Sequence, residues 1–293
     1  MRKKGNFPLS FCFRVCYSVF RNDWMQEVLE MILVTGATGF VGGKIMQVCK
    51  DVIACPSLRN ATEKDIRRIV EESGADTIIH TAAISDIGQC RDNPEASYHA
   101  NVLIPLYLAR AAKNAKLICF SSDQVYSGME EEGPYTEDRV KPGNLYAEHK
   151  LLMENLVLDL DPDAVMLRAE WMYDYYPKRS NYLMGILNAT DSVRFSSRQY
   201  RGVTYVKKVA ENMEKVALLP GGAYNFGSET AKSIYEITEE FLALLGKDIR
   251  LEDIPPQHNL WMNCEKARKL GVDFPTVEQG LKECARDYHL MKG

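Results

Sequence analysis

From Met31 to Arg168 short apolar runs alternate with amphipathic stretches, and this alternation limits the fold more than any other feature of the chain. "MILVT", "DVIAC", "DTIIHTAA", "KLICFSS" and "DAVMLRA" have strand length. Their apolar residues follow one another instead of alternating, the pattern of strands buried on both faces of a parallel sheet. Between them "GGKIMQVCK", "TEKDIRRIVEESG", "NPEASYHANVLIPLYLARAAKNA" and "NLYAEHKLLMENLVLDL" carry helical periodicity. Strand, helix and parallel strand in succession make right-handed βαβ units. The expected fold class is therefore α/β, a Rossmann-type doubly wound parallel sheet over residues 31–168. After Arg168 the alternation loosens, and the helices "EITEEFLALLG" and "VEQGLKECARDY" close the chain. Residues 169–293 are expected to form a smaller substrate-binding lobe over the carboxyl edge of the sheet, with some segments returning to the first domain.

Composition narrows the function. The 293 residues are 46% hydrophobic and 26% charged, enough for a sizeable core, and no apolar run approaches a membrane span. A formal charge of −4 argues against a nucleic-acid binder of the basic-patch kind. The eight cysteines show no C-x-x-C pair and the five histidines no H-x-x-x-H pair, so buried reduced thiols and no metal site are expected, in a cytoplasmic protein. Residues 1–30 differ in kind: "MRKKGNFPLSFCFRVCYSVF" has a basic start and an apolar stretch interrupted by Arg14, with no small-residue cleavage site after it. It reads as a dispensable leader or an upstream start outside the fold.

The turn "ILVTGATGFVGGKIM" sets Gly36, Gly39 and Gly42 between a strand and a helix. That context makes the glycine spacing a dinucleotide signal: the backbone turns tightly, approaches a pyrophosphate and offers it the helix N-terminus. Thr38, Phe40 and Val41 fill the same loop. At the end of the second strand "IACPSLRN" lacks the acidic residue that would hold ribose hydroxyls. Ser57 and Arg59 could instead meet a 2′-phosphate, which tilts the choice of cofactor toward NADPH over NADH; for Arg59 a solvated loop position is an equal alternative.

"FSSDQVYSG" follows the fourth strand, so Ser122 and Asp123 emerge at the carboxyl edge where α/β sheets bind ligands. Tyr146 and Lys150 stand one turn apart on the next helix, on one face. An ammonium beside a phenol favours the phenolate, so the pair reads as a proton donor and the charge that tunes it.

Taken together these residues resemble the extended short-chain dehydrogenase/reductase family: the glycine loop, Thr81-Ala82-Ala83 after the third strand, Asn101, the serine pair and Y-x-x-x-K come in its order. Within it the chain looks most like dTDP-4-dehydrorhamnose reductases. "SSDQVYSG…GPYTEDRVKPGNLYAEHK" is similar to their S-T-D-Y-V-F-x-G … G-P-Y-x-E-x-D-x-x-x-P-x-N-x-Y-G-x-x-K, and "LRAEWMY" to L-R-T-S-W-V-Y. The resemblance implies a 4-keto deoxysugar nucleotide as substrate, reduced by NADPH or NADH. It implies that Tyr146 donates the proton, that Lys150 also holds the nicotinamide ribose, that Asn101 belongs to the cofactor set, and that Ser85, Ser122, Asp123, Trp171 and Arg201 face the sugar nucleotide. For Trp171 core packing is an equal alternative. A homodimer is compatible with this reading. The chain departs from the pattern at four places: Gln124 stands for a tyrosine, His80 for an asparagine, "RQYRGVT" for D-Q-x-G-x-P-T and Pro255 for an arginine; the last two fall in the substrate lobe, with Arg198 and Arg201 either diphosphate ligands or surface charges. A sugar-nucleotide epimerase of the same family and a non-catalytic NADP-binding regulatory protein remain alternatives. A dehydratase fits less well, because Gln124 cannot serve as the acid–base residue that follows the serine-acid pair.

Overall fold

The structure, a computed structural model, describes residues 31–256 and 258–291; the leader reading of residues 1–30, with Cys12 and Cys16, lies outside the described residues. Six strands form the main sheet: β1 (Ile32–Thr35), β2 (Val52–Ala54), β3 (Thr77–His80), β4 (Lys116–Ser122), β5 (Val165–Ala169) and β9 (Gly222–Phe226). All pair in parallel, in the order β2-β1-β3-β4-β5-β9. The chain leaves β1 toward β2 and then returns past it to β3. The connections thus diverge beside β1 and open a crevice at the carboxyl ends of the strands. The first five strands are the five apolar runs expected from the sequence.

Both faces of the sheet are covered, and side chains alternate between them along each strand. Val34, Ile79, Ile118 and Leu167 join one core cluster, while Leu33, Ile78, Leu117 and Met166 join the other. The helices that cover the sheet include α1 (Phe40–Val48), α2 (Glu63–Ser73), α3 (Ile104–Ala111) and α4 (Leu145–Leu160). Helix α2 starts at a capping box, in which the Thr62 side chain accepts from the Asp65 amide and Asp65 reaches back. The long apolar stretch after Asn93 does not run as one helix: a π-helical turn spans His99–Leu103 before α3.

Beyond β5, β6 (Trp171–Tyr173) pairs with β8 (Val203–Tyr205), and β7 (Ser192–Phe195) with β10 (Arg250–Asp253). A third cluster, including Tyr182, Tyr205, Phe241 and Leu281, packs these strands against α5 (Ile234–Leu245) and α6 (Val277–Asp287). Among the described residues six cysteines are free and five of them are buried. Among those residues no helix is long and apolar enough to cross a membrane, and no cluster of metal-ligating side chains occurs.

Candidate active site

The turn after β1 closes tightly. Gly36 adopts φ +68°, and a Cβ there would meet Thr81 Oγ1 at 2.8 Å and the Ala82 nitrogen at 2.9 Å. Gly42, in the first turn of α1, is buried, and a Cβ on it would overlap the Gly36 carbonyl. The loop therefore lies directly against the end of β3, which only residues without a Cβ permit. Gly36, Thr38, Gly39, Phe40 and Val41 line one wall of a cleft of ≈ 570 Å³. A second recess continues from Gly36 and Thr38 past Ala82 and Ala83 to Ser57 and Arg59, beyond β2. A dinucleotide fits this arrangement: a tight glycine cradle at a helix N-terminus, with space on both sides of it and a cation at the far end.

The opposite wall comes from β4 and α4. The Asn144 side chain caps α4 by accepting from the Ala147 amide, and its amide group donates to Gln124 Oε1 (3.1 Å) and Ser127 Oγ (3.2 Å). The helix start is thereby tied to the turn that follows β4. Tyr146, Lys150 and Glu154 then lie on one face, four residues apart, and all three are buried. Glu154 accepts from Ser121 and forms a buried ion pair with Arg168 of β5 (2.7 Å), fixing the helix to the sheet one turn below Lys150. Tyr146 and Lys150 reach the cleft beside Ser122, Asp123 and Gln124.

The electrostatics correct one expectation. The Lys150 ammonium lies 5.9 Å from the centre of the Tyr146 ring and donates to the Phe120 carbonyl at 2.7 Å. Burial pushes the Tyr146 phenol above its ordinary value, and the Asp123 carboxylate adds to this; only the Ser122 hydroxyl works the other way. Burial also lowers Lys150, to about 8. In this pocket desolvation outweighs the tuning that helical spacing suggested, so Tyr146 holds its proton at neutral pH.

Trp171 is 38% exposed at the cleft, which separates it from core packing; the Arg201 guanidinium lies over its ring at 4.8 Å. Arg201 also pairs with Asp123 Oδ2 at 3.1 Å. Burial raises the Asp123 carboxyl, against the pull of Arg201. Ser85, Thr81, Ala82 and Ala83 line the cleft as well, whereas Arg198 does not. Asn101 and Gly42 depart from their expected direct contact with cofactor. Asn101 is fully buried and lines neither recess, because its side chain is spent on Ile84, accepting from its amide (3.1 Å) and donating to its carbonyl (2.9 Å). It holds the segment between Ala83 and Ser85 in place. Gly42 serves packing. His80 is buried too, with Nδ1 2.7 Å from Thr35 Oγ1.

One residue that sequence reasoning passed over faces the cleft: Glu170, 6% exposed, with its carboxyl pushed up to about 8 by burial. Its signal was a lone acid in the otherwise uncharged run "AEWMY", where the resembled pattern has serine.

Comparison with known proteins agrees with this geometry. A dTDP-4-dehydrorhamnose reductase of Mycolicibacterium smegmatis is 33% identical over 162 residues, 52% of this chain and 49% of that one, so the match spans about half of either. A Haloferax volcanii protein named a low-salt glycan biosynthesis reductase is 26% identical over 84% of this chain and 90% of its own. Methionine adenosyltransferase 2 subunit beta of Xenopus laevis is 29% identical over 90% and 92% respectively. Among solved structures, dTDP-4-dehydrorhamnose reductase of Bacillus anthracis in complex with NADP superposes with a TM-score of 0.78 at 20% identity, covering 89% of this chain and 99% of that one. The profile of the RmlD substrate binding domain matches residues 30–288, and the chain belongs to that family.

Proposed function

We propose that this chain is an NAD(P)H-dependent reductase of a 4-keto deoxysugar nucleotide. The observation that carries the reading is a single cleft whose one wall is the glycine loop and whose other wall is Ser122, Tyr146 and Lys150. A bound nicotinamide supplies the hydride to the carbonyl carbon. The chain's own residues manage the oxygen. Ser122 hydrogen-bonds it, and Tyr146, protonated at neutral pH, gives it a proton as charge develops there. A buried phenol is still a stronger acid than the alcohol being formed, so the transfer runs toward product. The Lys150 ammonium, on the same face, stabilises the phenolate left behind. The relatives named as reductases and the neighbour holding NADP support this assignment, and Arg59 beyond β2 supports NADPH.

The test is anaerobic oxidation of NADPH and of NADH against a panel of 4-keto sugar nucleotides. Oxidation that depends on one of the sugars, faster with NADPH, is expected. Interconversion of sugar epimers without net cofactor oxidation would instead assign an epimerase. The Xenopus laevis relative, named as a subunit, supports a second reading as a cofactor-binding subunit of another enzyme. Tight NADPH binding with no turnover of any sugar would favour that one.

A further inference from the structure

The proposed reduction uses Ser122, Tyr146 and Lys150, yet the same cleft holds a carboxyl for which that chemistry has no role. Glu170 follows β5 directly, and its seat is built from separate parts of the chain. Oε1 accepts from the Ser228 amide at 2.9 Å and from the Thr204 hydroxyl. Both donors fall on the same oxygen. A Cβ at Gly202 or at Gly227 would overlap the carboxyl group, so two glycines leave the room it occupies. Its titratable and charged surroundings are Asp123 and Arg201 in the cleft, with Tyr173 and Cys264 behind. Asp123 and Arg201 pair with each other, and of the two Asp123 acts more strongly on Glu170.

A carboxyl in this setting carries its proton. Burial and the nearby Asp123 both disfavour ionisation, and the group titrates at about 8. The two donors on Oε1 pull the other way, toward ionisation, and burial outweighs them; with both on Oε1, Oε2 is left to bear the hydrogen. A neutral acid held this way is a hydrogen-bond donor with fixed aim.

We propose, on the reading of the cleft as a sugar-nucleotide reductase site, that Glu170 is a specificity-determining residue which donates from Oε2 to an oxygen of the sugar ring's substituents. A neutral donor suits an uncharged sugar, whereas an ionised carboxylate beside Asp123 would repel electron-rich oxygens. A site built to hydrogen-bond a substrate oxygen discriminates strongly against analogues that lack it, because the buried donor is then left unpaired.

The experiment compares the wild type with E170A and E170Q. It measures KM and kcat for dTDP-4-dehydrorhamnose, and calorimetric binding of dTDP-rhamnose to the NADP-loaded protein, from pH 6.5 to 9.5. Glutamine keeps the shape and donates at every pH. For the wild type, KM should be flat below pH 8 and climb above it, by about tenfold per unit while the ionised form binds negligibly. E170A should raise KM about tenfold or more near pH 7 with a much smaller change in kcat, and E170Q should recover most of that loss and abolish the rise above pH 8. Lys150 titrates in the same range, but it does so in all three proteins, so the difference between them isolates Glu170. Melting temperatures identify any variant that fails to fold, and E170Q, isosteric with the wild type, carries the decision if E170A does. Wild-type turnover with equal KM in folded E170A, or the same alkaline rise in E170Q, overturns the role of Glu170 and leaves the reductase reading intact. No binding or turnover of any sugar nucleotide by the wild type overturns both.

Discussion

Replacing Lys150 with methionine should stabilise the cofactor-free protein while it weakens cofactor binding. The side chain is 2% exposed, and the hydrogen bond that holds it runs to the Phe120 carbonyl at 2.7 Å. Burial brings its pKa from 10.5 to about 8, which corresponds to about 3 kcal/mol of destabilisation of the charged form in the fold. Methionine removes that cost at similar length and leaves the Phe120 carbonyl without its donor, a loss of about 1 kcal/mol. The net expectation at pH 7 is a gain of about 2 kcal/mol, or a few degrees in Tm for a domain of this size. The pH dependence has a definite sign. Between about 8 and 10.5 the unfolded chain still binds the lysine proton and the folded chain has released it, so wild-type stability from this group rises with pH. The advantage of Lys150→Met should therefore shrink across that window, vanish about two-thirds of the way up it, and become a deficit of about 1 kcal/mol at its top. Calorimetric melting of both cofactor-free proteins from pH 7 to 10 measures it, and titration with NADPH measures the affinity lost. A variant that melts below the wild type at pH 7, or a difference that does not change with pH, would refute the reasoning.

Tyr146→Phe should leave melting and NADPH affinity nearly unchanged while turnover of a reducible sugar nucleotide falls by roughly 10² or more, the scale of a lost acid–base group; normal turnover would remove Tyr146 from the mechanism. Gly42→Ala would push a methyl group into the Gly36 carbonyl, so a loss of about 1–3 kcal/mol in denaturant unfolding is expected, together with weaker NADPH binding by calorimetry. Arg59→Ala should weaken NADPH more than NADH in the same titration, and equal losses would end the assignment of Arg59 to a 2′-phosphate.

The fold was legible where pattern and local chemistry agree. β1 to β5 are continuous apolar runs, and burial on both faces of the sheet explains why no alternation was visible in β1, β3, β4 and β5; β2, at the edge, is only partly buried. β9, "GAYNF", escaped notice because it opens on two small residues and closes an edge far along the chain. The helical positions of Tyr146 and Lys150 could be read from spacing alone, whereas the net direction of the Tyr146 pKa could not. It depends on how deeply both are buried, a property of the packed sheet and helix. Asn101 shows the same limit from the other side. Its place in the motif order was visible, but that it braces the Ile84 backbone requires the π-helical turn to be seen. Glu170 was hidden because the residues that hold it, Thr204 and Ser228, lie more than thirty positions away.

The pairing of β9 with β5 has a consequence for how the chain is made. β9 covers all five residues of β5, from Val165 to Ala169, and β5 is buried along its whole length. A ribosome that has released only the first five strands has therefore exposed a row of unsatisfied amides and carbonyls on an apolar strand, the kind of edge on which nascent chains aggregate. That edge stays open until Phe226 has cleared the exit tunnel. A chain truncated after Ala169 should consequently yield inclusion bodies, while one that runs through β9 should give far more recoverable material. Comparing the soluble yield of the two truncations would show whether the last strand of the sheet acts as its guard during synthesis.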